Sequence, residues 1–254
     1  MPYYGIGDLA PQSAEEIYTP RGTIAYATIQ RLIAGPLYAF AGYRWQDLTI
    51  VETEPNGVLR RGTVRGSRGG RIAQLQIGEM YDTRDDLFAP ERGTFAQVTA
   101  SAGVSSIGSD FGFSRYAADA RRFMPLGASR VLALQAALEG TTGDAPFDQL
   151  SLVGNSDYLR GYVHGRFRDR YLAAAQAEYR APLRGKWRWA AVAGGGRIAP
   201  RLNGLAGGDA RFLPTYGIGV RRMLFARSRS AIRVDYGRGT SGQTGLYVAL
   251  NEAF

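Results

Sequence analysis

The most restrictive feature of this chain is a period of two that returns in run after run. Nowhere does an apolar stretch approach the roughly 18 residues that a membrane-crossing helix needs. In 94–104, Ala96, Val98, Ala100, Ala102 and Val104 share one face, and Gln97, Thr99 and Ser101 share the other. In 171–180, Tyr171, Ala173, Ala175, Ala177 and Tyr179 oppose Gln176, Glu178 and Arg180. Ile232, Val234 and Tyr236 oppose Arg233 and Asp235 in the same way. Successive side chains of a strand point to opposite faces, so this alternation predicts strands with one apolar and one polar face.

About twelve such runs are bounded by Gly, Pro, Asp and Ser clusters. They span 2–9, 22–33, 37–52, 70–83, 93–104, 111–124, 129–140, 170–183, 187–199, 211–225, 230–238 and 244–254. Their length of roughly ten residues or more exceeds the five or six usual in a soluble sandwich. The polar faces carry Arg, Glu and Gln, which suit a wet lumen and suit a sandwich core badly. Tyr43 and Trp45, Tyr171 and Tyr179, and Trp187 and Trp189 read as girdle aromatics near strand ends, although Tyr and Trp also favour strands in general. A mean hydropathy of −0.21 fits alternation as well as solubility. No linker divides the chain. The expected fold is therefore all-β: one antiparallel transmembrane β-barrel over 1–254, with an even strand count that lets it close.

Composition removes other classes. There is no cysteine, and His164 is the one histidine, which leaves no thiolate or His-rich metal site. His164 has Asp157 and Asp169 nearby in sequence but no G-x-S-x-G elbow, so neither a catalytic residue nor a cofactor is expected. The net charge of +9 comes from 31 basic residues, of which Lys186 is the one lysine. They are scattered rather than gathered into an aromatic-studded patch, which argues against nucleic acid. The opening Met1-Pro2-Tyr3-Tyr4 lacks a basic and then apolar leader. Residues 54–70 and 200–210 read as glycine-rich exposed or mobile loops, since neither has the strand–loop–helix context of a phosphate cradle.

Two polar motifs interrupt the alternation. Residues 154–171 read GNSDYLRGYVHGRFRDRY and centre on Leu159, Arg160, Gly161 and Tyr162. Residues 81–93 read YDTRDDLFAPERG: Asp82, Arg84 and Asp85 can pair across a turn, Pro90 fixes φ, and Gly93 frees the backbone where the next strand starts. Three alternating runs separate the motifs, and five follow the second. Together they resemble the BamA/TamA superfamily of outer-membrane assembly factors and two-partner-secretion translocators, the bacterial surface antigen family. There a (V/L)-R-G-(F/Y) tetrapeptide tips a loop that folds into the barrel lumen, and a D-x-R-D…P-x-x-G turn precedes a strand. The resemblance covers essentially the whole chain and matches the C-terminal part of the family barrel.

The resemblance implies that Arg160 points into the lumen toward a glutamate on the next strand, here Glu178, and an aspartate on the strand after. Gly194 stands at the aspartate's place, which leaves either another acid such as Asp235 as the partner or a close approach of the loop to Gly194 and Gly196. The last run, with Leu246, Val248, Leu250 and Phe254 on one apolar face and Tyr247 beside it, looks like the C-terminal targeting strand of outer-membrane barrels, with Glu252 at the interface. Three functions stay open on this reading: insertion or translocation of polypeptides through a seam between first and last strands, a passive plugged pore, or the transport barrel of a fusion with a patatin-like enzyme. The implied location is the bacterial outer membrane. The implied partners are outer-membrane lipids and lipopolysaccharide, polypeptide substrates, and the barrel-assembly machinery that would insert the chain itself. No periplasmic repeat domain precedes the barrel in this sequence, and the strands either close unaided or form part of a larger barrel.

Overall fold

The computed structural model describes every residue except 155–157, 209, 226–228 and 241. Asp157 is therefore outside the described residues. The chain begins with a two-residue ribbon of β1 (Pro2–Tyr3) and β2 (Glu16–Ile17). The wall follows with β3 (Thr19–Ala34), β4 (Leu37–Glu52), β5 (Gly69–Asp82), β6 (Gly93–Gly103), β7 (Phe113–Pro125) and β8 (Val131–Gly143). A long loop then carries the short ribbon β9 (Ser151–Val153) and β10 (Phe167–Asp169). The wall resumes with β11 (Tyr171–Arg184) and β12 (Trp187–Ala199). One turn of helix, α1 (Leu202–Ala206), precedes β13 (Leu213–Phe225), β14 (Ser230–Arg238) and β15 (Thr244–Leu250).

Eleven strands, β3 to β8 and β11 to β15, form one antiparallel sheet in chain order, with β8 paired directly to β11. Most wall strands have 13–16 residues. At roughly 3.3 Å per residue they are long enough to cross an apolar band of about 25 Å at a steep tilt. Connections are short at one end, as at 35–36 and 185–186, and long at the other, as at 53–68 and 144–170. Short periplasmic turns and long extracellular loops are the asymmetry of outer-membrane barrels.

Register carries the sequence alternation across the whole sheet. Gln135 on β8 pairs with Arg121 on β7 and Gln176 on β11, all facing inward. Their side chains form a polar ladder: Gln176 Nε2 donates to Gln135 Oε1 at 2.7 Å, Gln135 donates to Asp119, and Arg121 pairs with Asp119 at 2.6 Å. On the outside, Leu246 and Val248 are each 70% exposed, while inward Arg221 is 1% exposed. Apolar outside and polar inside is a stable arrangement when the outer solvent is lipid.

One expectation is corrected here. The wall has eleven strands rather than twelve, because 2–9 contributes only the two residues of β1. Gly5 and Gly7, both at φ +106°, break the extension there, and Tyr3 turns inward against Tyr18, Leu59 and Phe147. On closure, which the sequence left open, no ladder joins β3 to β15 among the described residues, so the sheet has two free edges. The 54–70 loop is less exposed than its composition suggests. Buried Glu16 accepts the main-chain N–H groups of Val58 and Leu59, and Leu59 enters the core. Of the aromatics, Tyr171 opens β11 and Trp187 and Trp189 lie at the start of β12, whereas Tyr43 and Trp45 in β4 and Tyr179 in β11 lie mid-strand, the Tyr179 and Trp189 ring centroids 5.5 Å apart.

Candidate functional site: the lumen loop and its arginine cluster

The loop between β8 and β11 reaches its tip at Leu159–Tyr162. Leu159 adopts φ +54° and Gly161 φ +111°, so the backbone reverses twice within three residues. Reversal buries Leu159 and Tyr162 with Val153, Phe167, Leu172, Ile198 and Leu213, anchoring the tip to β11, β12 and β13. Gly161 passes so close to β14 that a Cβ there would lie 2.5 Å from the Arg238 carbonyl carbon. Gly237 faces it with equal tightness, its would-be Cβ 2.7 Å from Gly161 N. Gly196 makes room for Leu159, 2.9 Å from the place a Cβ would take, whereas Gly194 meets only the neighbouring strand, at Ala175 O and Gln176.

Between these apolar contacts, Arg160 is 1% exposed and held by two carboxylates. Nη2 donates to Glu178 Oε2 at 2.5 Å and Nη1 to Asp235 Oδ2 at 2.9 Å. Its carbonyl accepts from the Thr215 hydroxyl. Asp235 thus occupies the second anionic position that Gly194 leaves open. The other anchors come from hydroxyls: Tyr162 Oη donates to Pro214 O at 2.7 Å, and Tyr247 Oη donates to Tyr162 O at 2.9 Å while accepting from Gly161 N.

Three further arginines complete the cluster. Arg180 Nε meets Glu178 Oε1 at 2.7 Å, and Arg233 meets Asp235 at 2.8 Å. Arg221 touches every acid present: Asp235 at 2.5 Å, Glu178 at 3.3 Å and Glu252 at 3.0 Å. These side chains are almost entirely buried, at 4% exposure or less. Sequence reasoning missed Arg180, Arg221, Arg233, Glu252 and Thr215 as members of the site. The available signal was inward parity, since Glu178 with Arg180 and Arg233 with Asp235 are i, i+2 pairs facing the lumen.

The chain's last residues correct another expectation. Leu246, Val248 and Leu250 face outward, but Phe254 does not continue that face. Asn251 adopts φ +63°, and the chain leaves the strand and turns into the lumen. Phe254 packs on Phe123, Ala133 and Ala253, its main-chain oxygen accepting from Arg180 Nη2 at 2.6 Å. Glu252 likewise points inward to Arg221 rather than to the interface. A carboxylate is better satisfied by buried guanidinium groups than by the lipid boundary.

The 83–92 turn lies close by. Asp82 receives Arg84 bidentately at 2.8 and 3.0 Å, and the Arg84 guanidinium lies 4.5 Å from the Phe95 ring centroid. Asp85 accepts the N–H groups of Glu91 and Arg92 and pairs with Arg229 at 2.8 Å. Burial pushes the Asp85 carboxyl up, but Arg229 and the two N–H donors outweigh it and hold it below the ordinary carboxylate range. At Gly93, φ is +109° and a Cβ would strike Thr83 O at 2.2 Å. Pro90 O accepts from Arg180 at 3.3 Å, and Phe88 O accepts from Glu252 N at 2.9 Å. Turn, tail and loop tip therefore converge on one arginine cluster.

Comparison with known proteins agrees with this architecture. The crystal structure of BamA from Haemophilus ducreyi lacking POTRA domains 1-3 superposes with a TM-score of 0.67 at 15% identity. The match covers 96% of this chain and 56% of that one, so this chain spans little more than half its length. No curated protein sequence matches. The Omp85 superfamily domain model matches residues 14–224, most of the chain, including both motifs. On that match, which takes in the lumen loop and the wall strands from β3 to nearly all of β13, the chain belongs to the Omp85 superfamily.

Proposed function

We propose that this chain is the barrel of a bacterial outer-membrane factor that assists the insertion or translocation of polypeptides without enzymatic chemistry. The observation that carries the reading is the pair of free edges. β3 offers sixteen residues of strand exposed almost throughout on both faces, and β15 offers seven. Unpaired edge N–H and C=O groups template the addition of another strand. At seven residues, β15 is also too short to match a full apolar band of about 25 Å, which favours local thinning of the bilayer beside it. In this reading the arginine cluster keeps β11, β13, β14, the tail and the loop rigid while the edges stay available. Lipids and lipopolysaccharide surround the outer face, and the barrel-assembly machinery would insert the chain.

Site-specific photo-crosslinkers test the proposal. Placed at Ile29 on β3 and Val248 on β15, they are expected to capture unfolded barrel polypeptides, while one at Ala118 on β7 does not. Equal capture at all three positions, or none at the two edges, would sink it. The lumen loop, buried at its tip, favours a plugged pore as the second reading. In that case Arg160→Ala raises conductance in planar bilayers and no edge crosslinks form.

A further inference from the structure

The arginine cluster is matched by carboxylates. Another buried arginine inside the lumen, outside that cluster, is not. Beneath the long loops lies a cavity of about 230 Å³ with apolar walls at Ile24, Leu48 and Ile50 and polar walls at Arg44, Arg168 and Asp148. Arg168, on β10, is 2% exposed. Its guanidinium sits 5.4 Å from the Tyr3 ring centroid and 4.9 Å from that of Phe147. Among the described residues its one hydrogen bond runs from Nη1 to Phe147 O at 2.7 Å, and Nε is buried without an acceptor.

The neighbouring groups do not neutralise it. Arg44 hydrogen-bonds only to neutral amides, Gln46 at 2.7 Å and Gln149 at 3.4 Å, with the Asp148 charge acting on it from beyond ion-pair distance. Asp148 Oδ2 accepts from those same two glutamines at 3.0 Å each, and neither arginine makes an ion pair among the described residues. The wall thus presents two cations to one carboxylate already bound by amides. A buried guanidinium without an anion is costly, and the Nε and Nη2 of Arg168, which carry no hydrogen bond, form the side-on fork that fits an oxyanion.

We propose that this cavity binds a small organic anion, with its oxyanion on Arg168 and Arg44 and a short apolar body against Ile24, Leu48 and Ile50. The size excludes a drug-sized molecule, whose sites run to about 300–1,000 Å³. Access is from the β3 side: Ile24 is about half exposed, and the far edge of β3 is unpaired. The proposal does not depend on polypeptide insertion.

Calorimetric titration of the 254-residue chain in non-ionic micelles tests it, with hexanoate as the probe and 1-hexanol and inorganic phosphate as controls. Hexanoate is expected to bind saturably beyond its partition into empty micelles, at least tenfold more tightly than either control. Arg168→Gln should weaken it at least tenfold. Ile24→Trp, which fills the mouth and keeps both cations, should do likewise. Where Arg168→Gln gives no heat-modifiable folded band, Arg44→Gln carries the same expectation. Absence of saturable binding, equal affinity for hexanol or for phosphate, or unchanged affinity in the folded arginine variant would overturn the proposal. Palmitate competing with hexanoate assigns the ligand to the bilayer, and failure to compete assigns it to the aqueous phase; both support an anion site.

Discussion

The arginine cluster makes a prediction that runs against motif reading: Glu178, not the loop arginine, should be the costlier residue to lose. Arg160→Ala removes hydrogen bonds to Glu178 and Asp235, but neither acid is orphaned. Glu178 keeps Arg180 at 2.7 Å and Arg221 at 3.3 Å, and Asp235 keeps Arg221 at 2.5 Å and Arg233 at 2.8 Å. Two lost charge-assisted bonds, offset by one fewer buried cation, give a cost of about 2 kcal/mol. Glu178→Gln instead strips an anion from Arg160, Arg180 and Arg221 together, leaving four arginines against Asp235 and Glu252. Breaking a buried pair costs about 3–5 kcal/mol, and this substitution breaks three contacts at once, so about 4 kcal/mol or more is expected. The double variant should be less damaged than the sum of the two by about 1–3 kcal/mol, because removing Arg160 relieves part of the excess charge. Urea titration of the folded, heat-modifiable band in micelles measures all three variants. If Arg160→Ala cost as much as Glu178→Gln, or if the two were additive, the shared-anion reasoning would be wrong.

Two other outcomes follow from the geometry. Gly161→Ala combines φ +111° with a Cβ 2.5 Å from the Arg238 backbone, so loss of at least about 2 kcal/mol and protease cleavage within 158–166 are expected; a protected loop would contradict the close approach. The depressed Asp85 carboxyl contributes stability that is complete above its unfolded value of about 3.9 and is lost as pH falls through the lower folded value. Asp85→Asn should therefore flatten the acid limb of the stability profile below about pH 4, and an unchanged limb would show that Arg229 and the turn do not read this charge.

Much of the wall was legible in the chain itself. A strand's two-residue period is local, so Arg233 and Asp235 could be assigned to one face and Val234 to the other without knowing any neighbour. Turn chemistry is local too, and Pro90 with Gly93 marked where β6 begins. Even the inward parity of Glu178 could be read one strand at a time. What alternation leaves open is which distant side chains meet. Arg160 and Asp235 lie 75 residues apart, and the register of β11 to β14 brings Asp235 to the place that Gly194 leaves vacant. The same limit explains the tail. Periodicity extended the outer face to Phe254, but a single left-handed residue at Asn251 turns the chain inward, where Arg221 and Arg180 donate to Glu252 and to the terminal main-chain oxygen. Local sequence determined strands, faces and turns because backbone sterics act over a few residues. Charge pairing, the free edges of β3 and β15 and the uncompensated Arg168 were decided only by the tertiary structure, because buried electrostatics depends on groups the chain brings together from far apart.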